Sequence, residues 1–139
     1  MAQAMSETEL PYIISFTIQR DGKLIDGTTI ANAIDIIDNS VDVKPVCYMT
    51  NCVHPSIVYE ALSQPFNQNT FVRDRFLGIQ ANTSPLLYAE LDESLDLKCS
   101  YPTQFAEAML KLRDISNIKI FGGCCGTDHR HMEQVARRL

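Results

Sequence analysis

Four short runs of near-continuous apolar character punctuate the chain: YIISFTI (12–18), VCYMTN (46–51), RFLGIQA (75–81) and IKIFGG (118–123). None alternates cleanly between polar and apolar, which predicts strands covered on both faces, as in a parallel sheet. Between and after them, apolar residues recur with a helical period. Ile30, Ala33, Ile34 and Ile37 fall at i, i+3, i+4 and i+7, as do Phe105, Ala108, Met109 and Leu112. Met132, Val135, Ala136 and Leu139 repeat the spacing. Each set predicts a helix with one buried stripe. A shorter helix is predicted in HPSIVYEALSQ (54–64), with Val58, Ala61 and Leu62 on one face and Pro55 suited to its first turn. The Asp-Gly pairs at 21–22 and 26–27 read as turns.

The predicted order is (βα)4, with strand starts at 12, 46, 75 and 118 recurring about every 35 residues. Eight such units make the roughly 250 residues of a TIM (β/α)8 barrel. This α/β chain of 139 residues holds four, so half of such a barrel, with parallel strands and outer helices, is one expected fold. A small doubly wound sheet fits the same periodicity.

Composition narrows the functional classes. A net charge of −5 argues against nucleic acid or an anionic membrane surface as the main partner. No apolar run approaches the ~20 residues of a membrane span. The opening MAQAMSETELPY lacks the basic and then apolar organisation of a secretory signal. Five cysteines, at 47, 52, 99, 124 and 125, form no regular framework, so reduced thiols or metal ligands in a cytosolic compartment are expected rather than disulfides.

Parallel α/β folds gather their working residues at the carboxyl ends of the strands. Here those ends read QRDGKLIDG, TNCVHP, ANTSPL and GGCCGTD. If the sheet curves, Cys52 faces Cys124 and Cys125 across one rim. Three thiols suit zinc, and glycines at 122, 123 and 126 would let the backbone turn so that both neighbouring cysteines meet one metal. The plainer readings stay open beside this one. A buried cysteine is most often a small apolar residue, which suits Cys47 within its strand and Cys99. A redox dithiol remains a weaker reading, because the pair lacks Cys-x-x-Cys spacing. His129 and His131, at i and i+2, do not share a helix face and read as solvent-facing or helix-end residues. His54 reads as a helix-start residue, and Glu90, Asp92, Glu93 and Asp96 as a solvated loop.

NCVHP, GIQANTSPL and GGCCGTD, in this order and spacing, resemble the C-terminal half of the zinc-dependent homocysteine S-methyltransferase family. PYIISFTI and the two Asp-Gly turns look like its fifth strand and the following turn. The resemblance covers residues 1–139 as strands five to eight of the barrel, with 1–11 as the tail of the preceding helix and Met1 as an internal methionine of a longer frame. It implies that Cys52, Cys124 and Cys125 are the zinc ligands, with Asn51 and Asn82 supporting the site. It also implies Zn2+ as cofactor, with homocysteine and a small cationic methyl donor as substrates and S-methylmethionine foremost among donors.

The ligand set suits that chemistry. Three thiolates leave a fourth position on zinc where the homocysteine thiol can lose its proton, and the excess negative charge favours a cationic donor. Strands one to four of the family pattern, which carry the pocket for the homocysteine amino group, have no counterpart here. Two classes of function therefore follow: a methyltransferase making methionine, or a non-catalytic zinc-binding half-barrel. The second would act as a homodimer or beside a complementing N-terminal half, since open sheet edges call for a partner.

Overall fold

The computed structural model describes residues 1–84 and 100–139. Strands β1 (Ile13–Phe16), β2 (Cys47–Val53), β3 (Phe76–Ala81) and β4 (Ile120–Gly123) lie side by side in chain order, and every pair is parallel. A doubly wound sheet reverses its strand order at a switch point, and this sheet does not. Sequential parallel strands separated by helices are the wall of a (β/α)8 barrel, so the fold is α/β and corresponds to a partial barrel.

Among the described residues the helices are α1 (Ala2–Ser6), α2 (Ile30–Ser40), α3 (Pro55–Leu62), α4 (Thr70–Arg75), α5 (Pro102–Ile115) and α6 (His129–Ala136). Each of the longer ones starts where a backbone donor finds a side chain or proline fixes φ. Thr29 caps α2 by accepting from the Asn32 amide, and Asp128 caps α6. Pro55 and Pro102 open α3 and α5. The Asp-Gly turns form as expected. Asp21 and Asp26 each accept the amide two residues on, while Gly22 and Gly27 take φ of 82° and 83°.

Helices cover one face of the sheet. Phe16, Tyr48, Ile79, Ile34, Ile57, Val58, Phe105, Met109 and Leu112 form its buried core. The opposite face carries Ile13, Ser15, Met49, Asn51, Gly78, Gln80 and Ile120. A Cβ on Gly78 would touch Met49 and Ile120, and one on Gly122 would touch Gln80. Among the described residues this face is largely open, with Ile13 46% and Ile120 38% exposed. Apolar residues occupy both faces, as expected of such strands; among the described residues helices pack on one face, and on the other Cys47 and Met49 are buried while Ile13 and Ile120 are exposed.

Other boundaries also move. β1 ends at Phe16, short of residue 18, because Ile18 turns to bridge Leu24 in antiparallel fashion. β2 runs on to Val53. A 3-10 turn (Pro65–Asn67) and α4 occupy the stretch before β3, where no element is predicted. Ala136 and Leu139 are exposed, because α6 stops at Ala136 before its stripe completes a further turn. Cys99 and the acidic run 90–96 lie outside the described residues.

At the amino-terminal end of the sheet, Arg75 grips Asp38 through two hydrogen bonds of 3.0 Å, and Tyr48 donates to the same carboxylate at 2.8 Å. Arg75 also reaches the carbonyls of Pro45 and Val46, and its guanidinium lies 5.4 Å from the centre of the Tyr48 ring. This network ties α2, β2 and α4 together.

Candidate metal centre

The carboxyl ends of β2 and β4 bring three cysteines together. The Cys52 and Cys124 sulfurs are 2.8 Å apart, those of Cys124 and Cys125 are 3.9 Å apart, and all three lie within 4.8 Å of one another. Each is placed by a local feature. Asn51 pairs with Gln80 and Val53 pairs with Ala81, so Cys52 is the extra residue of a β-bulge. Its φ of 53° lies in the left-handed region that non-glycine residues rarely enter. The bulge lets Asn51 keep its place on the open face while the next side chain also reaches the rim.

On the other side, the Cys124 amide donates to the Ala81 carbonyl at 2.7 Å, and the Thr83 amide donates to the Cys125 carbonyl at 3.1 Å. Thr127 folds back, its amide and hydroxyl both donating to the Cys124 carbonyl. Of the three glycines expected to turn the chain, only Gly126 uses positive φ, at 77°. Gly123 is needed for a different reason: any Cβ there would collide with the Thr127 side chain.

Burial falls from Cys52 and Cys124, both half-buried, to Cys125, which is exposed. The hydrogen bond with Cys124, then burial, pushes Cys52 up to about 11. Burial pushes Cys124 upward too, but hydrogen bonds from Cys52 and Cys125 outweigh it and hold that thiol below its ordinary range. Soft thiolates select zinc, copper(I) or iron–sulfur groups. Tetrahedral zinc with bonds near 2.3 Å sets its sulfurs about 3.8 Å apart, close to the Cys124–Cys125 separation of 3.9 Å, while Cys52 and Cys124, 2.8 Å apart, would spread to admit the ion. The residues fit zinc.

The two asparagines sit differently. Asn51 is half-buried on the open face and accepts the Ser15 hydroxyl at 2.6 Å. Asn82 is buried; its amide donates to the Val53 carbonyl, and its Oδ1 has no partner among the described residues. Asn82 therefore fastens β3 to β2 beside the bulge.

His54 caps α3 as expected, its Nδ1 accepting the Ser56 amide, while Nε2 meets the Ser100 hydroxyl at 3.1 Å. Burial, and then the positive charge of Arg20, lowers its pKa. His129 is exposed at the start of α6. His131 is not solvent-facing: it is 5% exposed, packs edge-on against Phe105, and approaches the Ser100 carbonyl at 3.2 Å. It closes a capping box with Asp128, which explains its burial at a helix end. Asp128 three residues before His131 was the available signal, with histidine in the place usually held by Glu or Gln. Thr83 and Ser100 join this lattice through the Ser100 amide, which donates to Thr83 at 2.8 Å. Nothing in their residue type announced that role. Among the described residues, no helix is long and apolar enough to cross a membrane.

Comparison with known proteins agrees with this geometry. Neither the curated proteins nor the solved structures searched contain a match. A family model described as homocysteine S-methyltransferase, however, matches residues 1–139. With its sequential parallel strands and a cysteine triad on their carboxyl rim, the chain belongs to the homocysteine S-methyltransferase family, a family of enzymes.

Proposed function

We propose that this chain carries the zinc centre of a homocysteine S-methyltransferase and acts in methyl transfer from a sulfonium or quaternary ammonium donor, foremost S-methylmethionine, to homocysteine, yielding methionine. The observation that carries this reading is the convergence of Cys52, Cys124 and Cys125 within 4.8 Å on one rim. A zinc ion held there would supply Lewis acidity that keeps a substrate thiol ionised at neutral pH. The chain's own residues do the rest. Three thiolates concentrate negative charge, which favours a cationic donor nearby. The exposed Cys125 leaves the rim accessible from solvent. In the reaction, the donor's bond to the methyl carbon breaks with its electron pair staying on the departing sulfide or amine. A new bond joins that carbon to the homocysteine sulfur, and the thiol proton goes to solvent.

A second reading is favoured by the open sheet face with its exposed Ile13 and Ile120. On this reading the chain supplies the zinc half of an assembly, completed by a second copy or by further βα units, and is not itself active.

One experiment addresses both. The chain is loaded with zinc under reducing conditions, its mass in solution is measured, and homocysteine with S-methylmethionine is added. Methionine that appears with the wild type and vanishes with Cys125→Ser supports the enzyme. Zinc binding without turnover, in a folded chain that associates, supports the second reading. A strictly monomeric chain that takes up no zinc contradicts both.

A further inference from the structure

Cys124 and Cys125 sit in a turn that ends at Asp128, where α6 begins. One side of the turn is held from within, by the bonds that Thr127 gives to the Cys124 carbonyl. The other side is held from outside. The Thr83 amide donates to the Cys125 carbonyl at 3.1 Å, and the Thr83 carbonyl accepts the Ser100 amide at 2.8 Å. The Ser100 carbonyl lies 3.2 Å from His131 Nε2. His131 Nδ1 in turn lies 2.8 Å from Asp128 Oδ1 and 3.2 Å from the Asp128 amide nitrogen. This circuit of hydrogen bonds leaves the cysteine turn at Cys125 and returns to it at Asp128. His131 closes it.

Capping α6 does not by itself call for histidine. The N3 residue of a capping box is usually Glu or Gln, and one acceptor is enough. Imidazole differs in carrying a nitrogen on each side of the ring, so it can bond in two directions. A carbonyl can only accept, so the nitrogen facing Ser100 carries a proton. Glutamate in this place could complete the box but could not donate to Ser100. The ring is also locked in place: it is 5% exposed and stands edge-on to buried Phe105, with ring centres 5.5 Å apart. A fixed ring bonded on both sides fixes the spacing between Asp128 and Ser100. Ser100 is gripped from a second direction as well, where its hydroxyl meets His54 Nε2 at 3.1 Å.

We propose that His131 is a positioning residue of the metal centre: by joining Asp128 to the Ser100 carbonyl, it holds the Cys125 turn where its sulfur meets those of Cys52 and Cys124. This rests on the zinc reading given above. Cys125 is the exposed member of the triad, so packing restrains it least, and the circuit through Thr83 and Ser100 supplies the restraint. Residues that orient metal ligands from behind raise metal affinity without touching the ion.

The test uses the full chain, reduced. In the wild type, nitrogen-15 correlation spectra of the histidine rings should show His131 protonated at Nε2. A ring protonated at Nδ1 alone would overturn the proposal before any variant is made. Zinc affinity is then measured per folded molecule, by competition with a chromophoric chelator. His131→Glu keeps the cap acceptor and loses the donor. It should lower affinity about tenfold, the low end of the range for residues that orient metal ligands, and weaken thiolate-to-cobalt(II) charge-transfer absorption. His131→Gln, which regains an N–H, should restore most of both. Arg75→Ala, at the far end of the sheet, serves as the control for general destabilisation and should change neither. Unchanged affinity in His131→Glu, no recovery in His131→Gln, or an equal loss in Arg75→Ala would overturn the role of His131 and leave the zinc reading intact. A folded wild type without thiolate–cobalt absorption would overturn both.

Discussion

At the amino-terminal end of the sheet, Asp38, Tyr48 and Arg75 answer one another's polar groups, and the spare guanidinium donors reach two backbone carbonyls. At the carboxyl end, three sulfurs face one another with only weak sulfur hydrogen bonds between them, on a bulged strand with a residue in left-handed conformation. The first arrangement is saturated and has nothing left to offer a ligand. The second is poor in internal partners and rich in unspent donor capacity. The same sheet thus separates holding the fold from binding, as parallel barrels do.

The sharpest way to break this contrast is at the amino-terminal end. Arg75→Ala leaves Asp38 buried without its cation and should cost about 3 kcal/mol, the low end of the range for a broken buried pair, since the Arg75 side chain is 23% exposed. Urea unfolding measures the loss, while zinc affinity per folded molecule should stay unchanged. A loss of affinity in step with stability would show that the two ends are not separate.

A smaller effect is expected from His54, which sits between the two roles. Burial, with Arg20 second, holds its pKa below 6.5. The neutral ring is the folded form, so the stability it contributes is whole above pH 6.5 and is lost as the pH falls through the lowered value. Melting temperatures of metal-free protein should drop between pH 7 and 5. The drop should be shallower in His54→Asn, which can cap α3 without titrating. Parallel profiles would refute the assignment.

The smallest effect is expected at the rim itself. Cys52→Ser should shift metal-free stability by no more than about 0.5 kcal/mol, although it removes a ligand. A large destabilisation there would make the triad part of the framework.

Much of this division was legible in the sequence. The strands could be read because parallel strands with apolar residues on both faces leave continuous runs, as in VCYMT. The triad could be read because Cys52, Cys124 and Cys125 stand at strand ends. What escaped depends on distance or on count. The Asp38–Arg75 pair joins α2 to α4, and α4 is too short to show a helical period. Ser15 gives no sign of its partner, since Asn51 meets it only through the strand register. His131 is the helix-end residue its position suggests, but its burial depends on Asp128 and Phe105, and the spacing from His129 shows neither. The bulge is invisible to pattern, because a residue out of register looks like any other until both neighbouring strands are aligned.

That bulge makes the site a matter of arithmetic as well as of residue type. Were Cys52 in register with β3 instead of being the extra residue of the ladder, the asparagine and the cysteine would point to opposite faces. Two chains could carry identical cysteines and differ in metal binding by the length of one strand. To graft this centre into another barrel, a designer would have to transplant the miscount along with the sulfurs.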